Sequence, residues 1–331
     1  MKEYNQIIGL IALSSIKGIG PAFIKKYIHA NSFTSEDIIE ELGDILRSAK
    51  KNMDTDELFF QVEDAKKIHL QSSEESIKII PFNSDDYPKL LKELKDPPPV
   101  IYCKGNLELL HNKTICLIGT REPNLNGSKI AERVGSYFNI NNWSICNGLA
   151  EGIDTFSITT NGNFHKNVIG IVAGGLNYNS TKTLLNKTAI NAENILNNNG
   201  LLISEMAISK KEDTFSVVKS CRIQAGMSAG LILIQSDENG GSKYTLKSFV
   251  ELKRPLSTIK PVAEDEENES YSANKNIILK GKKGLAEMLG LKEEKINTDK
   301  IVIIKSKADY SVLESLMHEV YSRWENNNSL F

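Results

Sequence analysis

Two breaks of small residues, about 25 residues apart, hold the densest potential for chemistry in this chain of 331 residues. The first is Gly119-Thr120-Arg121, and the second is Asn147-Gly148-Leu149-Ala150-Glu151-Gly152-Ile153-Asp154. Glycines at such breaks expose backbone amides, and amides together with an arginine form a phosphate cradle that needs no catalytic group. Arg121 offers a planar fork to a phosphate, and a cation placed directly after such a break has little structural purpose. Gly148 and Gly152 suit either close ligand approach or tight packing of strand on helix. Asp154 reads as a cap for the next helix or as an acceptor for loop amides. Glu151 and Glu205 are placed to pair with Arg121 or Arg222. Phe215 could stack on an unpaired base or fill the core. Lys219, Arg222 and Lys243 could add phosphate contacts along a strip. A nucleophile elbow, a P-loop lysine motif and a zinc HExxH pair are all missing from the sequence, and its five histidines are scattered. The chemistry on offer is binding.

The elements that must position these residues alternate. Apolar runs at 115–118, 143–146, 168–173, 201–204, 231–235 and 256–259 have the length of buried parallel strands. Helical stretches are expected between them near 128–138, 155–163, 181–198, 218–228 and 242–253. This is the pattern of an α/β fold, a doubly wound parallel sheet of extended Rossmann-like type, with its ligand site above the carboxyl ends of the strands. Residues 1–75 read as a small N-terminal helical domain. Within it Ile16-Lys17-Gly18-Ile19-Gly20-Pro21 resembles a helix-hairpin-helix, whose amides could face a phosphate or serve as plain scaffold. Residues 77–290 read as the main domain, with strands at 77–82 and 100–103, a short helix at 89–94 and a stiff Pro97-Pro98-Pro99 connector. Residues 263–269, with five acids, read as a mobile loop, and 277–279 as a further strand. A short extension, 291–331, adds a strand near 301–304, a helix near 312–324 and an asparagine-rich end expected to fray.

Composition narrows the class. With 40% hydrophobic and 25% charged residues the chain is an ordinary globular protein. Its net charge of −2 is uneven, because residues 113–260 carry +5 between flanks of −4 and −3. An anionic ligand is therefore expected in the middle of the chain. The four cysteines form no CxxC pair, which points to a reducing compartment and no metal site. The apolar run at 7–13 is too short for a signal peptide, and no run approaches a membrane span, so a cytoplasmic protein is expected.

Six short motifs in order resemble the DNA-processing protein A (DprA, also called Smf) family, over roughly 77–290. They are Leu117-Ile118-Gly119-Thr120-Arg121; Gly148-Leu149-Ala150-Glu151-Gly152-Ile153-Asp154; Val172-Ala173-Gly174-Gly175-Leu176; Ser204-Glu205; Phe215 with Arg222-Ile223-Gln224-Ala225-Gly226-Met227; and Gly241-Ser242. The family's pattern for the fifth is F-P-x-R-N-R-I-I-A-G-L. This chain has Ser216 for the proline, Ser220-Cys221 for the Arg-Asn, Glu212 where lysine is frequent, and Ile158 for a histidine after the G-I-D motif. The resemblance implies a protein, not an enzyme and without cofactor, that binds single-stranded DNA. It further implies protection of such strands, delivery to a RecA-type recombinase, and action as a homodimer. The DNA or phosphate contacts it implies are Gly119, Thr120, Arg121, Gly148, Gly152, Phe215, Lys219, Arg222, Gly226, Gly241, Ser242 and Lys243, in a groove nearly blind to base sequence. Two alternatives use the same fold. One is a nucleotide-processing enzyme of the lonely-guy type, although Ala173-Gly174-Gly175-Leu176-Asn177 lacks the Pro, Thr and Glu of that motif. The other is a sensor of a free nucleotide signal.

Overall fold

The computed structural model describes residues 2–29, 32–35, 37–298 and 300–328. Four helices come first: α1 (Lys2–Ser15), α2 (Pro21–Tyr27), α3 (Ile38–Ser48) and α4 (Thr55–Glu74). Asp37 and Asp54 cap α3 and α4 by accepting from the amides of Glu40 and Glu57, and Pro21 opens the first turn of α2. The Gly18–Gly20 hairpin forms between α1 and α2, and two of the cations near it are engaged within the protein, while Lys17 is exposed. Lys25 Nζ donates to the carbonyls of Lys92 (3.1 Å) and Leu94 (2.6 Å), and Lys51 Nζ donates to Gly18 O at 3.2 Å.

The strands that follow are β1 (Lys78–Pro81), β2 (Val100–Gly105), β3 (Thr114–Ile118), β4 (Ser144–Asn147), β5 (Thr159–Thr160), β6 (Asn163–Phe164), β7 (Val168–Val172), β8 (Leu201–Ser204), β9 (Gly230–Leu233), β10 (Leu256–Ile259) and β11 (Ile301–Ile304). Nine of them form one sheet in the order β1-β2-β8-β7-β4-β3-β9-β10-β11, parallel except where β2 pairs with β1 and β8. From β3 the chain winds outward through β4, β7 and β8 on one side. It then returns to β9, β10 and β11 on the other, so the winding reverses between β3 and β9.

Strands covered on both faces need apolar residues at every position, because successive side chains point to opposite sides. Along β3, Ile115 and Leu117 join one buried cluster while Cys116 and Ile118 join the other. The first cluster contains α5 (Leu125–Ile140), α8 (Asn186–Asn197), the N-terminal helices and α13 (Ala308–Asn328); the second contains α9 (Thr214–Met227), α10 (Ser242–Phe249), α11 (Ser272–Lys280) and α12 (Lys282–Leu289). Two short helices, α6 (Ile153–Ser157) and α7 (Tyr178–Thr181), follow β4 and β7. The fold is therefore the expected mixed α/β architecture, a large and mostly parallel sheet with helices on both sides. All four cysteines are buried free thiols.

Several expectations are corrected. The helix expected over 155–163 stops at Ser157, and β5 and β6 form a hairpin instead. Its turn is Asn161-Gly162, both at positive φ (50° and 78°), the two-residue turn that matches strand twist. The strand expected at 277–279 is part of α11, where Ala273 and Ile277, one turn apart, are buried and Leu279 is exposed. The acidic stretch 263–269 is not a free linker. Two short helical turns occupy it, and the buried Asp265 carboxylate accepts from Asn124 Nδ2 (2.7 Å) and Asn126 Nδ2 (3.0 Å) at the start of α5. The 291–331 extension contributes β11 to the sheet edge, and Glu314 of α13 accepts from Trp143 Nε1 at 2.8 Å. Its last helix continues to Asn328, and the remainder of the expected frayed end lies outside the described residues.

Candidate nucleic-acid interface

A cleft of about 490 Å³ opens above the carboxyl ends of β3, β4 and β7, beside the β3–β9 reversal, where open α/β sheets place their ligands. Two glycines bring its walls together. A Cβ on Gly119 would lie 2.6 Å from Ile153 Cγ1, and one on Gly152, at φ +76°, would lie 2.4 Å from Arg121 O. The β3–α5 loop and the β4–α6 loop thus meet backbone to backbone, with Thr120 N donating to Gln235 O (2.7 Å) and Ile153 N to Thr120 O (3.0 Å). This contact turns the Arg121 side chain outward, exposed at the mouth of the cleft, with no hydrogen-bond or ion-pair partner among the described residues. Neither Glu151 nor Glu205 holds it.

The second break is stitched by Asp154. Its Oδ2 accepts from Gly148 N (3.0 Å) and Ala150 N (3.2 Å), so these amides are used within the loop and are not open to a phosphate. Thr120 N is likewise spent on Gln235. Glycine serves close packing at 119 and 152, and the amides of Thr120, Gly148 and Ala150 are withdrawn from the cradle expected of the two breaks. Burial pushes the Asp154 carboxyl up to about 7, against the opposing pull of the Ala150 and Gly148 amides and the Arg121 charge. Glu212 also lines the cleft and is raised by burial, countered by the Leu185 amide it accepts from and by Arg121.

Helix α9 distributes the remaining candidates. Asp213 and Ser216 form a capping box, with Ser216 N donating to Asp213 Oδ1 at 2.7 Å and Asp213 N donating to Ser216 Oγ at 2.8 Å. A hydroxyl in place of proline therefore still starts the helix. One residue earlier, Phe215 stands 75% exposed, which excludes the core reading. Arg222 is removed from any phosphate strip. It is buried, its guanidinium donates to both oxygens of Glu205 (2.7 and 2.9 Å), and Nε donates to Asp96 Oδ2 at 3.0 Å. Burial opposes its charge, but Glu205 and Asp96 outweigh that and hold it protonated. Lys219 Nζ sits 3.2 Å from the same Glu205. Gly226 is packed under Leu91 and Leu94 of the segment before the proline run, where a Cβ would meet Leu91 Cδ1 at 2.7 Å, and does not line the cleft.

On the far wall Gly241 is exposed at the start of α10, Ser242 Oγ is paired with Ser236 Oγ, and Lys243 lies over the Tyr244 ring. The Gly174-Gly175 loop is closed against its own chain: Gly175 N donates to Lys210 O, and a Cβ on Gly174 would meet Thr183 O at 2.4 Å. The structure thus gathers Gly119, Thr120, Arg121, Gly148, Gly241 and Ser242 around one cleft, keeps Phe215 and Lys243 near its rim helices, and takes Arg222, Lys219 and Gly226 elsewhere. It adds Gln224, which sequence reasoning passed over although an amide between Ile223 and Ala225 in an apolar run was a visible signal. The charged side chains lining the cleft are Arg121, Glu122, Asp154 and Glu212, a more acidic set than the basic middle of the sequence suggested. No group of three His, Cys, Asp or Glu side chains suited to a metal occurs among the described residues.

Residues 78–295 match the sequence pattern of the family described as DNA recombination-mediator protein A. The chain belongs to that family. It is 29% identical over 187 residues to the DNA processing protein DprA of Bacillus subtilis, covering 56% of this chain and 61% of that one. It is 29% identical over 206 residues to DprA of Streptococcus pneumoniae (61% and 69% covered), and 22% identical over 247 residues to Protein Smf of Escherichia coli (75% and 64%). The match thus spans less than two thirds of the Bacillus and Escherichia relatives. The fold is shared with the X-ray structure of the Streptococcus pneumoniae DprA (TM-score 0.66, 22% identity, 94% of this chain and 98% of that one). It is also shared with the Helicobacter pylori DNA processing protein A, a protein with a unique single-stranded DNA binding mode (TM-score 0.52, 23% identity, 62% and 88%). Among the described residues no helix is long and apolar enough to cross a membrane.

Proposed function

We propose that this chain binds single-stranded DNA along the cleft mouth, with Arg121 as its principal phosphate contact. The observation that carries the reading is an exposed guanidinium, without a partner among the described residues, at the switch point of a doubly wound sheet. Phe215, exposed on α9, supplies a face on which an unpaired base can stack, and Gly241, Ser242 and Lys243 supply further backbone and cationic contacts. Family membership and the single-stranded DNA binding mode of the Helicobacter protein support the choice of ligand.

On the same support, the reading extends to protection of single strands and delivery to a RecA-type recombinase, by a homodimer in the cytoplasm, without catalysis or cofactor. The DNA site lies on the 77–290 domain, with 1–75 as a helical scaffold domain and 291–331 as a C-terminal extension. The engagement of Lys25 and Lys51 within the protein supports the scaffold reading of the hairpin, with the exposed Lys17 left as its available cation. Fluorescence anisotropy of a labelled 20-mer tests it. Single strands should bind more tightly than duplex, and affinity should fall with salt. Equal affinity for both forms refutes the assignment, and tight binding of free nucleotides with none of oligonucleotides turns it towards a nucleotide sensor.

A further inference from the structure

A second cavity lies at the opposite end of the sheet from the cleft, by the amino ends of β3 and β9. It encloses about 190 Å³ between the 88–90 segment, residues 110–112 before β3, Met227 at the end of α9 and Tyr321 of α13. That is roughly the volume of six waters at liquid density. Its floor is apolar, formed by the buried Pro88, Leu90, Leu110 and Met227. Its rim carries donors, on the exposed Lys89 and His111 and the half-buried Asn112 and Tyr321. No carboxylate lines it among the described residues, whereas Glu122, Asp154 and Glu212 line the cleft. The Lys89 ammonium and the His111 ring have no hydrogen-bond or ion-pair partner among the described residues. Tyr321 Oη accepts from Thr114 N at 2.9 Å, and a hydroxyl accepting in this way keeps its own hydrogen to donate.

The floor is set before any ligand arrives. Arg254, fully buried, donates to Leu90 O (2.8 Å) and to Gly226 O (3.0 Å) and Ser228 O (2.7 Å) on either side of Met227. Glu93, at 2.6 Å, matches its charge, so Lys89 is the unmatched charge of the lining. A site preorganised in this way loses little on binding. Tyr321 lies outside the residues 78–295 that the family pattern covers, so that pattern does not supply this wall. We propose that the cavity binds a small organic carboxylate, its apolar body on the floor and its oxygens at the rim. Lys89 supplies the charge, and His111, Asn112 and Tyr321 supply further donors. Inorganic phosphate lacks the apolar body, and a neutral alcohol lacks the charge. The site is separate from the DNA cleft and does not rest on the single-strand reading.

The test is saturation-transfer NMR of the full chain with benzoate and benzyl alcohol. Benzoate should bind saturably, with a dissociation constant on the order of 1 mM, and benzyl alcohol about tenfold more weakly. Lys89→Ala, a change at an exposed position, should weaken benzoate about tenfold with melting unchanged. Arg121→Ala should leave benzoate binding as it is, and neither dT20 nor an equal concentration of inorganic phosphate should displace it. Absence of saturable binding, full affinity in Lys89→Ala, or equal affinity for benzyl alcohol overturns the carboxylate site. Displacement by dT20, or loss in Arg121→Ala, moves benzoate to the cleft and overturns it equally. Displacement by inorganic phosphate at equal concentration refutes the apolar body and with it the proposed ligand class.

Discussion

Replacing Arg121 with alanine separates binding from folding more cleanly than any other change in this chain. The side chain is exposed and makes no contact within the protein that its loss would break. Stability should therefore move by no more than about 0.5 kcal/mol, the usual range for surface positions. Binding should respond strongly, because a hydrogen bond from a charged donor contributes about 1.5–3 kcal/mol. At about 1.4 kcal/mol per decade, that is a roughly tenfold to hundredfold loss of affinity for single strands. Desolvation in a cleft holding Asp154 and Glu212 places the effect nearer the lower figure, since those carboxylates already draw on the Arg121 charge. The dependence of log affinity on log salt should also flatten by about 0.7, one single-strand phosphate. Anisotropy titrations at several salt concentrations, with thermal melting on the same samples, measure all three quantities. A folded Arg121→Ala protein with unchanged affinity refutes the reasoning, and a large fall in melting temperature shows that the side chain has a structural partner after all.

Arg222→Ala should behave in the opposite way, leaving Glu205 buried with only Lys219 nearby; a loss of about 3 kcal/mol in urea unfolding is expected, at the lower end for broken buried pairs. Gly152→Ala should destabilise the chain and weaken binding together, because a Cβ would strike the Arg121 carbonyl at positive φ; melting and anisotropy on one sample check the pairing. For Asp154 the folded carboxyl titrates near 7 against an ordinary 3.8, so the folded state keeps a proton that the unfolded chain has lost between those values. Its contribution to stability is thus largest below about pH 4 and declines as pH rises to about 7, and unfolding free energies of Asp154→Asn should lack that decline. Lys210 and Lys211, exposed just before Glu212, should act at a distance: reversing both to glutamate should slow association in stopped-flow mixing, most at low salt, with melting unchanged.

What the sequence made legible was local. Strands such as 115–118 and 201–204 are continuous apolar runs because both sheet faces are covered, and the glycines after them mark where loops approach. The placement of Arg121 was readable for the same reason, since its position at the cleft follows from its immediate neighbours. Arg222 was not, because Glu205 lies 17 residues away and Asp96 lies 126, and only the folded chain brings them together. The Asn161-Gly162 hairpin was available in the sequence as an Asn-Gly turn and was outweighed by helical spacing on either side. The acidic run at 263–269 misled because composition does not show that Asp265 turns inward to two asparagines at the start of α5.

The charge of the cleft follows from these same long-range pairings. The sequence places its positive surplus between 113 and 260, yet the cations are dealt out by the fold to other tasks. Arg222 and Lys219 neutralise Glu205, and Arg254 is buried with Glu93 and three carbonyls of the 225–228 turn. Arg121 remains as the only arginine or lysine lining the cleft among the described residues, facing Glu122, Asp154 and Glu212. A cleft so composed gains little by drawing a backbone of phosphates into its depth. A phosphate at the mouth, on Arg121, leaves the carboxylates free to accept from donors, and the donors of a nucleic acid are on its bases. The same charge arrangement therefore confines phosphate contact to the mouth, where Arg121 stands exposed.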